Sequence, residues 1–86
     1  MILRDKCITS INVKKWLMDE NNRQIKKWGI QTLDAFKWLA FLMEEVGELS
    51  RAISEHEWRG GTKEDIKKEA IQAATLAIKI AEMVSD

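Results

Sequence analysis

The sequence predicts an all-α fold: a three-helix protomer that completes a four-helix-bundle-type core by oligomerisation. Three observations lead there. Proline is absent, the only glycines stand at 29, 47, 60 and 61, and apolar residues recur at helical spacing over most of the chain. The 86 residues form one domain, near the size at which a single core barely offsets the entropy of ordering the chain, so a partner subunit is expected.

Residues 1–10 show no clear period and are expected to be loosely ordered. From about Ile11 to Trp28, the positions of Val13, Trp16, Leu17, Ile25 and Trp28 predict an amphipathic helix. Its Lys14, Lys15, Arg23, Lys26 and Lys27 face water, and Gly29 ends it. Thr32 is the expected N-cap of a second helix, with Asp34 in its first turn, running to about Trp58. Gly60-Gly61 stops that helix. Thr62, followed three residues later by Asp65, resembles a capping box that opens a third helix to about Val84. Gly47 lies inside the second helix, where glycine costs about 1 kcal/mol against alanine, so a close helix approach is expected there.

Fourteen basic residues balance fourteen acidic ones, which argues against a polybasic nucleic-acid binder and against an acidic tail. The charges are unevenly placed: residues 1–37 hold eight Lys/Arg and four Asp/Glu, and 38–86 hold six and ten. Lone Cys7 excludes an internal disulfide, and with a single His the chain has no zinc set. The longest apolar run, 38–43, is too short to cross a membrane, and no signal segment opens the chain. The expectation is a cytoplasmic protein with no membrane or nucleic-acid partner.

The glutamates of the second and third helices carry the chemistry. At about 100° per residue, Ile66, Ala73, Leu76, Ile80 and Met83 fall within about 60° of Glu69, which therefore sits in the middle of an apolar stripe. Gln72 lies to one side, one turn on. The second helix repeats the arrangement: Trp38, Phe41, Leu42, Leu49 and Ala52 flank Glu45, with Glu48 offset to the same side and Glu44 beyond it. A single glutamate pair at this spacing usually marks a solvated face, but two pairs centred on apolar stripes do not fit that explanation. Arg51, Arg59, Lys63, Lys67 and Lys68 project away from the stripes or lie in the loop, so protein cations are not expected to neutralise the cluster. A hard cation such as Mg²⁺ or Mn²⁺, which prefers oxygen ligands, would.

"EEVGELSRAI" at 44–53, with twenty residues between Glu48 and Glu69 and then "EAIQ" at 69–72, resembles the EExxE…ExxD signature of the MazG-like, all-α nucleoside triphosphate pyrophosphohydrolases. Upstream, "RQIKKWGIQT" at 23–32 is similar to the segment that often precedes the glutamate helix in that family, and the joint resemblance covers about residues 23–83. It implies Mg²⁺-dependent conversion of a (deoxy)nucleoside triphosphate to monophosphate and pyrophosphate, in a homodimer or homotetramer. Position by position, it implies metal ligation by Glu45, Glu48 and Glu69. Glu44 matches the leading glutamate, which binds a second ion or orients water. Gln72 stands where the pattern has aspartate and brings an amide oxygen without charge. That departure keeps a second expectation open, a non-catalytic nucleotide-binding or structural helical oligomer related to the family.

Gln24, Lys27 and Gln31 match the upstream segment and are expected to reach phosphate or base edges, with Trp28 stacking on the base. Lys79, two turns beyond Gln72 on its side of the third helix, is expected to meet a phosphate. Trp16 and Trp38 read as core. Phe36, Leu39, Met43 and Val46 lie roughly opposite the glutamate stripe, and an 86-residue monomer cannot readily cover both faces.

Overall fold

A computed structural model describes residues 1–85. Three helices occupy most of them: α1 (Val13–Trp28), α2 (Ala35–Trp58) and α3 (Lys63–Met83). No strand is present among the described residues. α2 and α3, joined by a four-residue turn, form an antiparallel hairpin. α1 packs on α3, and α1 and α2 make no close backbone approach to each other. α3 is thus the central element, and side chains from all three helices meet beside it.

The helix ends follow local chemistry. α1 begins two residues later than the hydrophobic pattern suggests, after Asn12, whose side chain makes no cap. It closes where Gly29, at φ 72°, donates its N–H to the Ile25 carbonyl. Glycine adopts this φ without steric penalty. The N-cap of α2 is Asp34 and not Thr32: the Asp34 carboxylate accepts the Lys37 N–H at 3.0 Å, so a residue expected in the first turn is the cap itself. At α3 the expected cap is present, with Thr62 Oγ1 accepting the Asp65 N–H at 3.1 Å.

The turn between α2 and α3 depends on both its glycines. Gly60 has φ 77°, and the Gly61 N–H reaches back to the Glu55 carbonyl at 2.9 Å. A Cβ on Gly61 would lie 2.9 Å from Glu55 Cβ, 3.0 Å from its carbonyl carbon and 3.0 Å from the His56 nitrogen. Two of those atoms are backbone and cannot swing aside, so Gly61→Ala is expected to destabilise the fold by about 1–3 kcal/mol. Urea denaturation checks this, with Gly47→Ala as the control. A Cβ at position 47 would meet nothing within 4 Å beyond its chain neighbours and the local helix backbone, so the close helix approach expected there is not made within the chain.

Residues 1–12 carry no helix or strand and are largely exposed. The Met1 amino group pairs with Glu57 near the C-terminal end of α2. Among the described residues, only Ala52, Ala73 and Leu76 are buried apolar side chains, and no large side chain is fully enclosed. The apolar seam of α2 lies open instead, with Phe36 84 %, Leu39 47 %, Met43 56 % and Val46 41 % exposed. No helix among the described residues is long and apolar enough to cross a membrane.

Candidate functional site

α2 and α3 bring Glu45 and Glu69 together from facing positions, as the two stripes require. Between them lies Gln72, 8 % exposed. With its amide nitrogen inward, Gln72 donates to Glu45 Oε2 and to Glu69 Oε2, each at 2.9 Å. Burial pushes the Glu45 carboxyl above its ordinary range, and the neighbouring charge of Glu69, with smaller contributions from Glu20 and Glu48, pushes the same way. Glu44 and Glu48 are exposed on α2. Among the described residues, no three His, Cys, Asp or Glu side chains converge as a metal set; the group that does converge is two carboxylates and one amide.

α1 contributes a polar network that the sequence reading missed. Glu20 and Gln24 are buried, at 9 % and 6 % exposure. Arg23 grips Glu20 with two hydrogen bonds, Nε to Oε1 at 2.8 Å and Nη2 to Oε2 at 2.7 Å. Gln24 Nε2 donates to Glu20 Oε2 at 2.8 Å, and Gln24 Oε1 accepts from Lys79 Nζ at 2.7 Å. The chain Arg23–Glu20–Gln24–Lys79 therefore fastens α1 to α3. Burial works to raise the Glu20 pKa, but the hydrogen bonds from Arg23 and Gln24 and the charges of Arg23 and Lys79 outweigh it and hold the carboxyl below its ordinary range. Lys79 is shifted down by its burial, with Glu20 partly offsetting it. At about 100° per residue Glu20 lies on the same stripe as Trp16, Leu17 and Gln24, the signal that marks Glu45 and Glu69 on their helices.

Glu45 stays shifted up; Arg23, exposed as the basic face of α1 predicts, has its pKa raised first by its hydrogen bonds to Glu20 and further by the charges of Glu20, Glu45 and Glu69. Truncating it to Gln leaves Glu20 buried without its charged partner, and Arg23→Gln is expected to cost about 1–3 kcal/mol. Adding Glu20→Gln should recover most of that loss, and a double-mutant denaturation cycle measures it.

A cavity of about 250 Å³ opens beside the carboxylates. Trp28, Trp38, Phe41 and Leu76 give it apolar walls, Glu44 and Glu45 stand at one part of its lining, and Gln24, Gln31 and Lys79 supply polar groups. Trp38, expected in the core, is a cavity wall. Lys27 does not line the cavity; its ammonium lies 4.7 Å from the centroid of the Trp28 ring, which Arg23 also approaches, at 5.9 Å. Lys79 is bonded to Gln24 on the aromatic side, seven residues and about 10 Å along α3 from Gln72. A more apolar groove of about 440 Å³, between α1 and α3, shares Gly29, Gln31, Trp38 and Lys79 with this cavity.

The chain matches no family model, no curated protein and no solved structure.

Proposed function

We propose that the protein is a nucleotide pyrophosphohydrolase of the MazG-like type, converting a (deoxy)nucleoside triphosphate to its monophosphate and pyrophosphate. The observation that supports this most is the convergence of Glu45, Glu69 and the buried Gln72 amide beside an aromatic-walled cavity. A hard divalent cation fits the donors: two carboxylates from different helices, one of them pushed up in pKa by burial and by the other's charge, and an amide that can offer oxygen. Glu45, Glu69 and Gln72 would hold Mg²⁺, or Mn²⁺ in its place. Glu48, exposed one turn along α2, would complete the set by a side-chain rotation.

When bound, such an ion neutralises phosphate charge and lowers the pKa of water. The chain's own residues do the rest. Glu44 and Glu45 line the cavity, where a carboxylate can accept a proton from the attacking water. Trp28, Trp38 and Phe41 offer flat apolar surface to a nucleobase and exclude water from it. Gln24, held by Glu20, and Lys79, which donates to Gln24, present donors to polar edges of the nucleoside, and Gln31 stands at the rim. A second copy of the chain would cover Phe36, Leu39, Met43 and Val46, whose 3-4-3 spacing suits a helix-to-helix seam, and so give the expected homodimer or homotetramer in the cytoplasm.

Incubation of the pure protein with each common ribo- and deoxyribonucleoside triphosphate and Mg²⁺, followed by separation of products, tests the reading. Monophosphate and pyrophosphate in equal amounts are expected. Saturable nucleotide binding without turnover would favour the non-catalytic nucleotide-binding oligomer, which the uncharged Gln72 makes the specific alternative.

A further inference from the structure

A glutamine amide has two ends of nearly equal size and opposite character: the NH₂ only donates and the carbonyl only accepts. At position 72 this amide is buried and ends 2.9 Å from one oxygen of Glu45 and 2.9 Å from one oxygen of Glu69. With nitrogen at that point, two carboxylates that repel each other are held by one shared donor. With oxygen there, the spacing is that of a coordination shell, because adjacent oxygens around an octahedral Mg²⁺ with bonds of about 2.05 Å stand about 2.9 Å apart. An aspartate at this position would have no donor end and, without a cation, would add a third negative charge.

We propose that Gln72 is a two-state ligand for a hard divalent cation: its NH₂ bridges Glu45 and Glu69 when the site holds no cation, and a half-turn of the amide presents its oxygen when a cation enters. The inference rests on the cation-dependent reading of the same site. The glutamates are then already gathered before the cation arrives. Entry has to displace two hydrogen bonds, which makes cation binding weaker than three carboxylates would give and more dependent on phosphate oxygens to complete the shell.

Nuclear magnetic resonance of the intact protein, with ¹⁵N in its glutamine side chains, tests this. The Gln72 NH₂ signals are assigned by their loss in Gln72→Glu and, should that variant fail to fold, in Gln72→Met. In metal-free protein these protons are expected to exchange with water at least about tenfold more slowly than those of exposed Gln31, the protection that two ordinary hydrogen bonds confer. Saturating Mg²⁺, with binding followed by calorimetry, should remove that protection and shift the resonance, while the Gln24 amide held by Glu20 stays in place. Mg²⁺ that binds without moving the Gln72 signals overturns the two-state ligand alone, as does an unprotected Gln72 amide in metal-free protein. Absence of any Mg²⁺ binding, with or without nucleotide, overturns the hydrolase reading and the inference together.

Discussion

Glu45→Gln is expected to abolish turnover and, in metal-free protein at neutral pH, to raise the melting temperature. The loss of activity should be at least about a hundredfold, since even residues that only orient a metal ligand typically contribute about 10–100-fold. The gain in stability has a different origin. The folded-state pKa of Glu45 is raised by burial and by Glu69, so the folded protein binds this proton more tightly than the unfolded chain does. That contribution is fully present below the ordinary glutamate pKa and is lost as pH rises through the raised one. A neutral glutamine does not ionise, so the melting-temperature advantage of Glu45→Gln should be small in acid and grow towards neutrality. Thermal melts over that pH range check it. A constant difference, or an active variant, would remove Glu45 from the centre of the site.

The second large effect is expected at Gln72. Gln72→Glu keeps the side-chain length but replaces the donor that bridges Glu45 and Glu69 with a third carboxylate. Metal-free protein should lose about 3 kcal/mol, because a buried charge replaces two hydrogen bonds. The same change adds a negative ligand, so Mg²⁺ affinity without nucleotide should rise, and saturating Mg²⁺ should restore the lost stability by linkage. Urea denaturation with and without Mg²⁺, paired with calorimetric titration, separates the two halves. A variant equal to the parent in both would mean that position 72 does not face the glutamates in solution.

Much of the protein was legible because helices are local. Glycine placement and the Thr62 cap located the breaks, and the wheel positions of Glu45 and Glu69 depend only on the helical repeat within α2 and α3. Local signals do not suffice where two choices compete. Thr32 and Asp34 are both good caps, and which one serves is decided by where the chain turns into α2. Gly47 was expected to meet a neighbour and faces open space, because no sequence pattern tells which side of α2 has a partner.

The α1 network shows the limit most clearly. Glu20, Arg23 and Gln24 lie on a helix whose apolar stripe was legible, yet on an isolated α1 they would be ordinary solvated residues. Docking on α3 buries Glu20, gives Gln24 its bond to Lys79 55 residues away, and sets Arg23 in the field of Glu45 and Glu69. Trp38 likewise lines a cavity together with Gln24 and Trp28 of α1, a helix that makes no close backbone approach to α2. The sequence by itself determined the helices, their ends to within a few residues, and the faces on which the two central glutamates lie, since each of these follows from hydrogen bonding and side-chain spacing over a few turns. Tertiary structure alone decided that a glutamine amide joins those glutamates and that the Glu20–Gln24 pair of α1 is fastened to Lys79 of α3, because Coulomb and hydrogen-bonding forces at these ranges depend on which distant segments pack side by side.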